Sequence, residues 1–237
     1  MEETTPGLNG PLSVRDIGIR SYVIRSGRMT DMQKEALAQL YVRYGVSWNP
    51  EASVDAMSLF GSDGPFIVEV GFGMGLATAA IAQALPAARF LGLEVHAPGV
   101  GKLLSEIASR NIENLRVCRH DAVEVIDAMI RTSSVDGFHI FFPDPWPKKR
   151  HHKRRIMSAA FVRLLADKLK PGGYIYYVTD WEEYAVATLD TLRAETALMN
   201  NSDAWAERQP WRPITKFEQR AINDGRPIRE LYFTKRG

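Results

Sequence analysis

From residue 64 onward, short apolar runs alternate with stretches in which apolar residues recur every three or four positions. The runs lie at 66–70, 90–94, 115–119, 138–142 and 174–179, and the helical patterns near 76–85, 98–111, 122–130, 153–169 and 181–199. In the last of these, Ala185, Leu189, Leu192 and Met199 share one face. A final strand is expected at 230–234, after a turn at Asp224-Gly225. Strand–helix alternation of this kind predicts a parallel sheet covered on both faces, a doubly wound α/β fold. Upstream, Thr30 followed three positions later by Gln33 reads as a capping box. The helix it starts carries Leu37, Leu40, Tyr41 and Tyr44 on its apolar face and ends at Gly45. Residues 1–28, with loop-forming Pro6, Gly7, Gly10 and Pro11 and with Arg15, Arg20, Arg25 and Arg28, are expected to be a flexible basic arm before a single domain over 29–237.

The composition adds little to this picture until charge is mapped. The chain has 237 residues, 45% hydrophobic and 24% charged, enough to bury a full core without staples. Its one cysteine, Cys118, excludes an intramolecular disulfide framework and a multi-cysteine zinc site. No apolar run approaches the roughly 18 residues that span a bilayer. Met1-Glu2-Glu3-Thr4-Thr5 lacks the apolar core of a secretory signal, so a soluble, cytoplasmic protein is expected. The net charge is only +2, but residues 148–155 read Lys-Lys-Arg-His-His-Lys-Arg-Arg, with six fixed cations. The rest of the chain, with 24 basic and 28 acidic residues, is mildly acidic. A cationic block on such a body points to contact with a polyanion at one place.

In a doubly wound sheet, ligands bind beyond the carboxyl ends of the strands. The first strand runs into Glu69-Val70-Gly71-Phe72-Gly73-Met74-Gly75, whose alternate glycines allow a sharp turn and close approach of a ligand. The second ends at Glu94, 19 residues beyond Gly75, a spacing that suits a carboxylate accepting from two ribose hydroxyls. The third leads to Asp121 and the fourth to Asp144. The glycines are not a dinucleotide fingerprint, because the third falls one position early, and no Lys-Ser or Lys-Thr pair opens the next helix. The pattern fits a ligand with a ribose but no pyrophosphate.

The Glu-x-Gly-x-Gly-x-Gly motif, Glu94, Asp121-Ala122 and Leu169-Lys170-Pro171-Gly172-Gly173 resemble the S-adenosylmethionine site of Rossmann-like methyltransferases. After the fourth strand comes Pro143-Asp144-Pro145-Trp146-Pro147-Lys148-Lys149-Arg150. With Gly92-Leu93-Glu94-Val95-His96, Thr179-Asp180-Trp181 and Thr215-Lys216-Phe217-Glu218, it resembles the bacterial tRNA (guanine-N(7)-)-methyltransferase family over about residues 30–237. Departures are small: Val70 and Leu93 stand where isoleucine is usual, and Ala221 where glycine often follows.

The resemblance implies a mostly parallel seven-stranded sheet with an antiparallel edge strand and helices on both faces. It implies S-adenosylmethionine as methyl donor and tRNA as partner, with guanosine 46 of the variable loop as the target. Glu69, Gly71, Gly73, Gly75, Glu94, Asp121, Ala122 and Asp144 would form the cofactor site, with Glu94 on the ribose and Asp121 on the adenine amino group. Asp144, between cofactor and substrate, is the expected catalytic residue. Lys148, Asp180, Thr215, Lys216, Phe217 and Glu218 would meet the substrate, and Arg150, His151, His152, Lys153, Arg154 and Arg155 the RNA backbone.

Other residues carry competing readings. Trp146 either caps the core or stacks on the target base, and Trp181 and Phe217 either pack to position their acidic neighbours or touch RNA. His96, His120 and His139 lack metal-ligand spacing, so no metal is expected. Cys118 reads as a core residue. With no clearly surplus apolar face, a monomer is favoured. Two rival functions stand beside the resemblance: a methyltransferase acting on a small molecule or protein, and a non-catalytic RNA-binding module on the same fold.

Overall fold

A computed structural model describes residues 20–23 and 28–237; the rest of the anticipated basic arm, Arg15 and Arg25 included, lies outside the described residues. Helix α1 spans Asp31–Tyr44, opened by the Thr30/Gln33 capping box and followed by Gly45. Then come β1 (Gly45–Val46), α2 (Ala56–Phe60), β2 (Phe66–Val70), α3 (Leu76–Ala84), β3 (Arg89–Leu93), α4 (Ala97–Ser109), β4 (Leu115–Cys118), α5 (Ala122–Met129) and β5 (Val135–Phe141). A 3-10 turn at Lys149–Arg154 precedes α6 (Ala159–Lys168), β6 (Leu169–Thr179), α7 (Glu182–Ala194), β7 (Leu198–Asn200), α8 (Lys216–Asn223) and β8 (Arg229–Lys235).

The sheet order is β1-β4-β3-β2-β5-β6-β8-β7. Pairing is parallel from β1 through β6, and antiparallel where β8 meets β6 and β7. Among the described residues there are eight strands rather than seven; the additional one is the two-residue β1, which follows α1 directly and pairs with β4. Alternate strand residues feed two cores. Val68 and Ile140 pack with Ile126 of α5 and Leu165 of α6, whereas Ile67 and Phe90 pack with Ile81 of α3 and Leu104 of α4. Strand order reverses between β2 and β5, and that reversal is where such a sheet opens a crevice.

Two helical expectations need correction. The pattern at 153–169 yields a helix only from Ala159, because Ser158 caps it by accepting from the Phe161 amide and because a cationic first turn opposes the helix dipole. The pattern at 181–199 stops at Ala194. Met199, assigned above to a helix face, instead lies on β7 and is largely exposed. Among the described residues, no helix is long and apolar enough to cross a membrane.

Helix α4 lies close beneath the glycine-rich loop. A side chain at Gly99 would collide with the Gly73 carbonyl, and a Cβ at Gly75 (φ +72°) would sit 2.6 Å from that of the fully buried Leu103. Leu103→Ala should therefore open a cavity directly under the loop. The expected loss is about 2–5 kcal/mol of unfolding free energy, measured by urea denaturation.

Candidate functional site

A cavity of about 290 Å³ opens at the strand reversal. Gly71 and Gly73 of the β2–α3 loop form its floor, Leu93, Glu94 and Val95 one wall, and His120, Asp121 and Ala122 another. Phe142, Pro143 and Asp144, beyond β5, border the opening. The loop takes its shape from left-handed glycines, Gly71 at φ +73° and Gly73 at φ +58°, with open space where each Cβ would stand.

Glu94 holds this loop in place. One carboxylate oxygen accepts from the Gly73 amide at 2.8 Å; the other accepts from the Val95 and His96 amides at 2.7 and 2.9 Å. Glu94 thus braces the ligand cradle while still lining it, a role that its spacing from the glycines did not reveal. Asp121 caps α5 by accepting from the Val123 amide at 2.8 Å. His120 is stacked on Trp48, with ring centroids 4.2 Å apart.

Glu69 and Gly75, both expected to touch a cofactor, lie beneath the cavity rather than on its lining. Gly75 starts α3, and Glu69 is buried on β2 with one oxygen accepting from the Thr78 hydroxyl at 3.0 Å. The other oxygen of Glu69 has no partner among the described residues. Burial, helped by the nearby Glu94 carboxylate, pushes the Glu69 pKa up to about 8.

The Asp144 carboxylate is exposed at the mouth of the cavity, with no hydrogen bond or ion pair among the described residues. Its loop is strained: Phe142 and Trp146 have φ of +50° and +44°, each costing about 1–3 kcal/mol. The Trp146 indole donates to the Ser21 carbonyl at 3.0 Å, and the Arg154 guanidinium lies 5.2 Å from its ring centre. Ser21 and Tyr22 line the cavity, so Trp146 anchors this short segment over the pocket. Burial and the facing Asp121 carboxylate raise the pKa of the Tyr22 phenol. Nothing in the sequence marked Tyr22 as a site residue.

The basic block separates into two groups. Arg155, expected on the RNA backbone, is instead committed to the fold. It donates to the Pro145 carbonyl at 2.9 Å, forms a bidentate pair with Glu183 and lies 4.6 Å from the Tyr184 ring centre. His152 is half-buried, with Nε2 unpartnered among the described residues. Lys148, Lys149, Arg150 and Lys153 are exposed and form no ion pair among those residues. His151 and Arg154 flank Trp146; burial and then the surrounding cations lower the His151 pKa.

A second group lies beyond β6. Asp180 pairs with Arg226, which sequence reasoning did not single out. Thr215 caps α8, accepting from the Glu218 amide at 3.0 Å. Glu218, expected to face the substrate, is fully buried, with both oxygens held by Arg208 and Arg212. Burial pushes its pKa up, but the two guanidiniums outweigh that and hold it below the usual carboxylate range. Lys216 and Phe217 are exposed. The Phe217 ring meets that of Phe142 edge-on at 5.9 Å, connecting α8 to the cavity.

A family model described as a putative methyltransferase matches residues 63–231. Relatives from Methylobacillus flagellatus and Nitrosomonas europaea, both named tRNA (guanine-N(7)-)-methyltransferase, are 50% and 49% identical. Each alignment covers 92% of this chain, and 92% and 96% of the respective relative. The chain belongs to the tRNA (guanine-N(7)-)-methyltransferase family. The fold of this methyltransferase is shared more widely. A 16S rRNA (adenine(1408)-N(1))-methyltransferase from Catenulisporales acidiphilia superposes with a TM-score of 0.54 at 14% identity, covering 81% of this chain and 93% of that one.

The raised pKa of Glu69 gives this methyltransferase a pH signature. Between about pH 4.5 and 8 the folded chain keeps a proton that the unfolded chain has released. The stability of the ligand-free protein should therefore fall as pH rises through that window and level off above it. Glu69→Gln should flatten the slope, measured by urea denaturation at pH 5 and pH 8; an unchanged slope would assign the dependence elsewhere.

Proposed function

We propose that this protein transfers a methyl group from S-adenosylmethionine to N7 of a guanosine in tRNA, at position 46 of the variable loop. The observation that carries the reading is the juxtaposition of a carboxylate unpaired among the described residues, Asp144, with a glycine-floored cavity and four exposed cations. The cavity suits S-adenosylmethionine. Open space above Gly71 and Gly73 admits a ligand close to the main chain, Glu94 keeps acceptor capacity for ribose hydroxyls, and Asp121 offers an acceptor to the adenine amino group. When bound, S-adenosylmethionine supplies a methyl group already activated on a sulfonium.

N7 of guanine carries a free lone pair, so no base has to remove a proton first. The protein's work is alignment and electrostatics. Methylation leaves positive charge on the guanine ring, and Asp144, at the border between cavity and surface, is placed to stabilise that charge as it develops. That no cation pairs with it among the described residues matters, since a paired carboxylate would have less field to offer. Lys148, Lys149, Arg150 and Lys153 present donors to phosphates, while Thr215, Lys216, Phe217 and Asp180 surround the approach of the base. Selection of one guanosine then depends on RNA shape.

The rival reading, methylation of a small molecule or protein, leaves the cationic surface without a task. Two measurements test the proposal. Asp144→Ala should lower methyl transfer to unmodified tRNA by roughly 100- to 1,000-fold while tRNA binding survives; nucleoside analysis of the parent reaction should yield 7-methylguanosine at one site. Substituting Lys149, Arg150 and Lys153 together by alanine should weaken tRNA binding and reduce its salt dependence by about 0.7–0.9 log units per lost phosphate contact. Affinity for S-adenosylmethionine should be unaffected in that variant. Normal tRNA affinity would favour the rival.

A further inference from the structure

Residues 201–215, between β7 and α8, contain no helix or strand, yet they deliver Thr215 and Phe217 to the site. A stretch this long without regular structure needs specific anchors to hold one conformation. Residues 201–206 are tied to β7, β8 and α7 by backbone carbonyls and amides, and the end next to α8 is anchored by a buried charge network centred on Arg212, which is 3% exposed. The guanidinium forks onto Glu218, with both contacts at 2.8 Å, and also donates to Glu230 of β8 at 2.7 Å and to the Tyr176 hydroxyl of β6 at 3.1 Å. Tyr176 bonds Glu230 in turn and accepts from the Gln209 amide at 3.2 Å. Arg208 pairs with Glu218 at 2.8 Å and donates to the Arg212 carbonyl. The Arg212 guanidinium lies 5.8 and 6.0 Å from the ring centres of Phe141 and Phe142. It therefore joins the start of α8, the sheet interior and the border of the cofactor cavity.

A buried ion pair is an inefficient source of stability, because desolvation cancels much of its attraction. What the forked, multiply bonded arrangement does provide is a single permitted geometry. We infer that Arg212 is a positioning residue for methyl transfer. By holding Glu218 it fixes the N-terminal turn of α8, and so the Thr215 cap and the placement of Phe217 against Phe142. The inference rests on the reading of Thr215 and Phe217 as substrate-facing.

The test measures methyl transfer to unmodified tRNA, S-adenosylmethionine affinity and melting temperature in three variants. Arg212→Lys keeps the charge but cannot fork. The charge-balanced pair Arg212→Met with Glu230→Gln removes one buried charge of each sign and leaves Glu218 paired with Arg208. Phe217→Ala tests the underlying reading alone. Both Arg212 variants are expected to lose roughly 10- to 100-fold in kcat, with cofactor affinity unchanged and with the charge-balanced pair melting near the parent. Parent-like kcat in Arg212→Lys or in the charge-balanced pair overturns the inference, as does a loss of kcat that merely follows losses of melting temperature and cofactor affinity. Parent-like turnover of Phe217→Ala overturns instead the reading that this segment faces the substrate.

Discussion

The arrangement of the site depends on how one carboxylate gathers backbone amides at the end of β3. Glu94 receives three N–H groups, one from the glycine loop and two from the start of the next connection, so the tips of β2 and β3 are tied together through a side chain. Hydrogen bonds to a charged acceptor contribute about 1.5–3 kcal/mol each, enough to hold a loop that glycine leaves conformationally free. Without this tie the left-handed turns at Gly71 and Gly73 would be one arrangement among many. The cradle, the cavity wall and the approach of α4 under the loop all presuppose it.

Much of this was legible in the sequence because it depends on local pattern. Strand and helix alternation gave the doubly wound sheet, and the acids near the ends of successive strands gave the cavity wall. What could not be read depends on pairing between distant positions. Arg155 looks like its neighbours in a cationic run, yet its partner Glu183 lies on another helix and removes it from the surface. Glu218 sits in a motif with Thr215 and Phe217, but Arg208, Arg212 and Glu230 determine that it turns inward. Trp146 admitted two readings, and the carbonyl of Ser21, 125 residues earlier, supplies a third, an anchor for a segment over the pocket. Residues 153–158 read as the start of a helix because charge repulsion in a first turn leaves no trace in apolar periodicity, yet the helix begins only at Ala159.

Strain and burial are distributed unevenly across the site. The two strained residues, Phe142 and Trp146, flank Asp144, and the most deeply buried acids, Glu69 and Glu218, lie outside the cavity lining. The exposed acid is held by loop geometry, the hidden ones by polar contacts. Such a division leaves the carboxylate at the cavity mouth free of ion pairs among the described residues, while the groups that fix the frame stay out of water.

The placement of β8 has a consequence for how the molecule is assembled. It follows β7 in the chain but lies between β6 and β7 in the sheet. As the chain leaves the ribosome, β7 has no strand to pair with until β8 has been made, and Tyr176 and Arg212 wait for Glu230. Vectorial synthesis therefore leaves the β6 edge open while the glycine cradle can already form. During that interval the nascent protein exposes an unpaired edge, the kind of surface that invites pairing with other chains.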